Sequence, residues 1–222
     1  MNQTQPEKLE IFYVRHADTV GGSVQGRHQC DIDITPLGEK QIALLSDRFA
    51  GRSFDAVLCS PTIRCIKTAS GLIARNAVHP KIEIVPELIE IGTHDGFVPD
   101  LNEIRSIAPG AFFCPDTIYR NRLRDYGSLL YEENVERANA LITYFRSRFS
   151  FGQKIAVVSH GHFARFFLSA AVGFEMSEDY IFSMNNTGVS KIKYTSDGMK
   201  RLSFHNDFSH LREIMPDYEF TV

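Results

Sequence analysis

Three short apolar runs in this chain each break off into polar residues, and that repeated design restricts the fold more than any other feature. Ile11-Phe12-Tyr13-Val14 stops at Arg15-His16, Ala56-Val57-Leu58 at Cys59-Ser60-Pro61, and Ile155-Ala156-Val157-Val158 at Ser159-His160-Gly161-His162. Runs rich in strand formers and apolar throughout belong to strands buried on both faces. Helical patterns lie between them. Ser60 is expected to cap a helix with Pro61 at its first position and Ile63, Ile66 and Ile73 on one face. Thr35-Pro36 repeats that start, with Ile42, Leu45 and Phe49 as its stripe and Gly51 as its stop. Val135, Ala138, Ile142, Phe145 and Phe149 form a third stripe, just ahead of the Ile155 run. Strands alternating with helices predict an α/β three-layer sandwich, a mostly parallel central sheet flanked by helices, with its site outside the carboxyl ends of the strands.

Periodicity weakens between His94 and Glu133, where Pro99, Pro109, Pro115 and several arginines fall. The chain is therefore expected to be a single domain, 1–222, with an inserted lobe or lid at about 94–133. Hydrophobic residues make up 43% and charged residues 23%, which excludes a disordered chain. A net charge of -3 offers no general attraction to nucleic acid or an anionic membrane, so an anion must be caught by a local cluster of cations. The first residues, MNQTQPEK, lack a signal peptide's pattern and no later run is long enough to cross a bilayer. A cytoplasmic location is expected. Cys30, Cys59, Cys65 and Cys114 have no CxxC or zinc-finger spacing, so they are expected to be reduced and mostly buried.

The strand ends carry the chemistry of phosphoryl transfer, which needs a nucleophile, cations for the non-bridging oxygens and an acid for the departing oxygen. Arg15 sets a guanidinium fork beside the imidazole of His16. Arg64 falls in the first turn of a helix, where free N–H groups and the helix dipole also favour an anion. His160 precedes another helix start and can donate to an equatorial oxygen.

Taken in order, these pieces resemble the histidine phosphatase superfamily, the phosphoglycerate mutase-like branch. Arg15-His16-Ala17-Asp18-Thr19 is similar to its Arg-His-Gly-Glu-Thr signature, and Gly26-Arg27-His28-Gln29 to its Gly-Arg-x-Gln segment. Ser60-Pro61-Thr62-Ile63-Arg64 with Thr68-Ala69 resembles the second motif, and Ser159-His160-Gly161 with Arg165 the third. Asn206-Asp207 with His210-Leu211 resembles a frequent ending. The resemblance implies that His16 is phosphorylated while Arg15, Arg64 and His160 hold the phosphoryl oxygens, without metal or cofactor. It places the acid/base carboxylate at Glu90, whose Leu88-Ile89-Glu90 setting matches better than Pro86-Glu87, and puts Thr19, Arg27, His28, Gly161 and His162 along the substrate. The implied activity is hydrolysis of a small phosphorylated metabolite. A mutase would carry longer insertions.

Several departures bear on substrate choice. Ala17 stands for a glycine, Gly22 falls where many members carry asparagine, His162 replaces a second glycine, and Gly92-Thr93-His94-Asp95-Gly96 lacks an aromatic residue. A mutase, a protein phosphohistidine phosphatase, or a phospholigand-binding module that has lost turnover are the competing readings. His160-x-His162 with Asp18 or Asp95 offers a weaker metal-site reading. Arg105, Arg120, Arg122 and Arg124 are either contacts for a substrate's distal charge or a solvated face, and Phe163, Phe166 and Phe167 read as helix core rather than a stacking platform. Oligomeric state is left open.

Overall fold

The computed structural model describes residues 7–20, 33–92, 100–116, 118–119, 129–176 and 182–216. Its strands are β1 (Lys8–Arg15), β2 (Ala56–Cys59), β3 (Ile82–Ile84), β4 (Phe112–Phe113), β5 (Lys154–Ser159), β6 (Val189–Thr195) and β7 (Lys200–Asp207). Its helices are α1 (Pro36–Arg48), α2 (Ile63–Ile73), α3 (Leu101–Ile107), α4 (Tyr131–Arg148) and α5 (Gly161–Val172), with 3-10 turns at Pro86–Leu88 and Ser209–Leu211. The strands form one sheet in the order β4-β3-β2-β5-β1-β6-β7. The first five of that order run parallel, while β6 and β7 extend the sheet antiparallel beyond β1.

The unbroken apolar runs have a simple cause: alternate residues of one strand feed two separate cores. On one face Ile11, Tyr13, Leu58, Ile155 and Val157 pack with Leu141 and Phe145 of α4 and Phe163 and Phe167 of α5. On the other Phe12, Val14, Val57, Ala156 and Val158 meet Leu45 of α1 and Ile66, Ala69 and Leu72 of α2. Each large side chain taken fully out of water contributes about 1.5–3 kcal/mol, so these faces hold the layers together. Phe163, Phe166 and Phe167 are core, as expected. No helix among the described residues is long and apolar enough to cross a membrane.

Helix α1 starts as its sequence predicts. Thr35 caps it, the hydroxyl accepting from the Gly38 N–H at 3.0 Å, and Pro36 opens the first turn. Gly51 follows its end with φ of +69°, a backbone region that suits glycine. Helix α2 departs from expectation. Its cap is Thr62 and its first residue Ile63, two positions later than a Ser60 cap would place them. Ser60 is unavailable because its N–H continues the strand ladder to the Val158 carbonyl at 3.0 Å and its hydroxyl bonds His160 Nε2 at 2.7 Å.

The middle of the expected insert joins the sheet instead of standing apart from it. Asp100 caps α3 by accepting from the Asn102 and Glu103 N–H groups, and Ile104, Ala108 and Ala111 are buried in the second core. Strand β4 then pairs with β3. Glu87, buried in the 3-10 turn, accepts from the Ile118 N–H at 3.1 Å and ties the return of this segment to the core. Arg105 donates to the Ala111 carbonyl at 3.0 Å, a bond that closes α3 onto its own loop. Arg120, Arg122, Arg124 and Asp95 lie outside the described residues.

The α1–α2 contact depends on Gly71, where an added Cβ would sit 2.0 Å from Ile42 Cγ2, a branched atom with little room to retreat. Gly71→Ala is therefore expected to destabilise the fold by about 1–3 kcal/mol in urea unfolding, against the gain of about 1 kcal/mol that alanine brings to an uncrowded helix. Adding Ile42→Ala should recover part of that loss. A simple gain from Gly71→Ala would contradict the packing described.

Candidate active site

Parallel strands β1, β2 and β5 end side by side, and the residues just beyond them make the site. His16 is the first residue after β1. Its N–H extends the ladder to the Ser159 carbonyl at 2.9 Å, and its own carbonyl accepts from Asn186 Nδ2 at 3.0 Å. Its Nδ1 lies 2.7 Å from the Ala17 carbonyl oxygen. A carbonyl can only accept, so Nδ1 carries the proton and Nε2 the free lone pair. Burial, followed by the guanidiniums of Arg64 and Arg15, holds the His16 pKa well below the ordinary value of 6.5. These surroundings favour the neutral imidazole, with its lone pair at Nε2.

His160, between β5 and α5, is wholly buried. The Tyr13 hydroxyl donates to its carbonyl at 2.8 Å, Ser60 Oγ bonds Nε2 at 2.7 Å, and Arg64 Nη2 lies 3.3 Å from Nδ1. Its ring centroid is 5.2 Å from that of His16, at an interplanar angle of 64°. Burial lowers its pKa well below the ordinary value, and Arg64, His16, Arg15 and Arg137 lower it further. Arg64 stands in the first turn of α2, held by a carbonyl contact to the Thr68 hydroxyl at 2.7 Å, which in turn accepts from the Ala17 N–H at 3.0 Å. The α2 start is thus fastened to the backbone just after His16.

Arg15 reaches across the start of α5, and its Nη1 donates to the Met184 carbonyl. Glycine at 161 makes that approach feasible: a Cβ there would lie 3.0 Å from Arg15 Nε and 3.2 Å from Cζ. Glu90 arrives at the same helix start. Its carboxylate accepts from the Phe163 N–H at 2.8 Å, the His162 N–H at 3.2 Å and the Ile91 N–H at 3.0 Å, an arrangement that suits a negative group at a helix N-terminus. The competing carboxylate, Glu87, is turned to the 118–119 backbone as described above.

The structure thus brings together His16, Arg15, Arg64, His160, Glu90 and Gly161. His162 lies in the first turn of α5 and is exposed. Thr19 forms an isolated antiparallel bridge with Ile34. Arg27, His28 and Gly22 lie outside the described residues, as does Cys30. Cys59 and Cys65 are free and buried, and Cys114 is partly so. Among the described residues no group of three or more His, Cys, Asp or Glu is arranged to hold a metal ion.

Sequence reasoning missed the backing of His16. Thr187, in an Asn-Asn-Thr-Gly turn, adopts φ of +55° and donates its N–H to the Arg15 and His16 carbonyls at 3.1 and 3.3 Å. Its hydroxyl bonds His210 Nε2 at 3.0 Å, and Arg48 contacts the other ring nitrogen of His210 at 3.2 Å. Asn206, itself at φ of +47°, accepts from the Asn185 N–H at 2.8 Å. The Asn-Thr-Gly composition marks a turn, but no local signal says that the turn braces a distant histidine.

Gly161→Ala tests the crowding beneath Arg15. The added methyl displaces the guanidinium, and misplacing a transition-state group by even about 1 Å costs on the order of 100-fold in rate. The variant is expected to melt within a few degrees of the parent while any turnover at this site drops by about 10- to 100-fold. Unchanged turnover would mean that Arg15 does not act from the position described.

Comparison with known proteins places this geometry in context. The family model for the histidine phosphatase superfamily (branch 1) matches residues 11–207. No curated protein matches the chain significantly by sequence. Among solved structures, the alpha-ribazole phosphatase of Shigella flexneri superposes with a TM-score of 0.66 at 19% identity, over 90% of this chain and 96% of that one. A phosphoserine phosphatase from Entamoeba histolytica, solved with 3-phosphoglyceric acid, gives a TM-score of 0.62 at 22% identity, over 91% and 99% of the two chains. A mycobacterial glucosyl-3-phosphoglycerate phosphatase gives 0.61 at 18%, over 90% and 99%. At such identities the likeness establishes a shared fold, and the family match adds the rest: this chain belongs to the histidine phosphatase superfamily, branch 1.

Proposed function

We propose that this chain is a metal-independent phosphatase that hydrolyses a small phosphorylated metabolite through a phosphohistidine on His16. As a member of its superfamily it is a phosphomonoesterase by class. The observation that carries the reading is a neutral, buried His16 with its Nε2 lone pair free, beside His160 and under the influence of Arg64 and Arg15. Small phosphorylated compounds are the substrates named for the similar structures, including phosphoserine and glucosyl-3-phosphoglycerate, and this supports a metabolite over a macromolecule. Free thiols at Cys59, Cys65 and Cys114 support a cytoplasmic location.

In the proposed cycle His16 Nε2 attacks phosphorus, forming the N–P bond as the ester P–O bond breaks. Glu90, in its acid form, gives its proton to the departing alkoxide. Arg15, Arg64 and His160 hold the three non-bridging oxygens, where charge develops. Water then gives a proton to the Glu90 carboxylate as its oxygen bonds phosphorus, the N–P bond breaks, and inorganic phosphate leaves with His16 restored.

Turnover of p-nitrophenyl phosphate in EDTA is the direct measurement. It is expected to proceed in the parent and to fall by several orders of magnitude in His16→Ala, with acid-labile phosphate captured on His16 in a quenched reaction. An inactive parent across a broad phosphometabolite panel would refute the reading.

The pH dependence follows from the His16 environment. The nucleophile is the neutral form, which protonation removes as pH falls through its pKa. Burial and the two guanidiniums lower that pKa, so the loss occurs at more acidic pH than for an ordinary histidine. Accordingly kcat/KM should show no acidic break near 6.5, the unperturbed value. A break there would mean that the titrating nucleophile is not held as described.

A further inference from the structure

Each ring nitrogen of His160 has one close N or O partner, with the Cys65 sulfur farther off at 3.6 Å from Nε2 and 4.0 Å from Nδ1, and the two close partners differ in what they can do. A guanidinium has no acceptor lone pair, so the 3.3 Å contact from Arg64 Nη2 requires an unprotonated Nδ1. The ring proton is then on Nε2, which donates to Ser60 Oγ at 2.7 Å. Ser60 is completely buried, and its own O–H has the Cys65 sulfur beside it as an outlet. Ser60 is therefore set as an acceptor toward His160. Before an anion binds, the edge of His160 that Arg64 shares therefore carries a lone pair, where a donor to phosphate is needed.

We propose, resting on the phosphoanion reading of this site, that an arriving phosphoryl group draws one proton from solvent onto Nδ1 of His160, with Ser60 as the positioning residue that accepts the Nε2 proton throughout. The anion recruits the Arg64 N–H groups to its own oxygens and would otherwise face the Nδ1 lone pair across a repulsive contact. Taking up a proton turns that contact into a charge-assisted N–H···O bond. The balance is imidazole plus dianion plus one proton, giving imidazolium bound to dianion, with no other bond changed.

The groups around His160 account for why the proton is absent beforehand. From β1 and its end come the Tyr13 hydroxyl, Arg15 and His16. Arg64 and Cys65 stand on α2, and Arg137 on α4. Glu90 sits at the α5 start with His162. Burial, and after it the arginines, disfavour a charged imidazole before an anion binds, and a dianion among the arginines offsets their effect.

Tungstate, a dianion that does not titrate between pH 7.5 and 8.5, is the probe, because it separates anion binding from turnover. Calorimetry of the full chain in two buffers of different ionisation enthalpy should report uptake of up to one proton per tungstate. Its Kd should weaken by about tenfold per pH unit while the complex stays protonated and the empty site does not. His16→Ala should retain this uptake and His160→Gln should lose it. Ser60→Ala should bind on the order of tenfold more weakly, with a smaller proton uptake. In the parent chain, needing no variant, nitrogen-15 NMR should show His160 Nδ1 passing from unprotonated to protonated on addition of tungstate while Nε2 keeps its proton. Tungstate binding without proton uptake, or with the Nε2 proton lost, overturns the coupling and leaves the phosphatase reading standing. Failure of tungstate to bind overturns both.

Discussion

Burying two imidazoles next to guanidiniums is the constraint around which this molecule is arranged. Water would normally screen such a cluster, and taking it away makes protonation of either ring unfavourable. What stabilises the arrangement is hydrogen bonding: Ala17, Ser60 and Tyr13 each meet a specific atom of the pair, and the strand ladder fixes the backbone of His16. Buried polar groups left without such partners would cost about 1–3 kcal/mol each. The sheet exists in the form needed to supply these contacts, because only parallel neighbours can present three strand ends at one edge.

That architecture was largely legible in the sequence. The apolar runs at Ile11, Ala56 and Ile155 lack alternation because both faces are covered, and the structure bears this out with separate cores on each side. Arg15-His16, Arg64 and His160 were legible for a different reason: each is a polar interruption directly after a strand or at a helix start. Glu90 could be placed only by resemblance, since a carboxylate after a strand carries no mark of its partners. Its contacts are the N–H groups of α5, far along the chain.

Other features were hidden because their partners are tertiary. Ser60 has the local signature of a helix cap, with proline following, and the side chain is instead drawn to His160, moving the helix start to Thr62. The stretch after Glu90 looked irregular, yet Ile104, Ala108 and Ala111 are enough to fold its middle against the sheet edge. Their spacing of four and three is helical, but Pro109 and Gly110 interrupt the run before it can extend, and their burial depends on tertiary neighbours being there to receive them.

The brace behind His16 has a temporal meaning. Asn186, which clasps its backbone, follows it by 170 residues, and Thr187 and His210, which share or back that clasp, come later still. Pairing so remote in order must wait for loop closure over most of the molecule. A partly synthesised polypeptide that lacks residues 186–210 can build the early strands but has nothing to hold the His16 carbonyl, so this clasp forms only after that segment has been made.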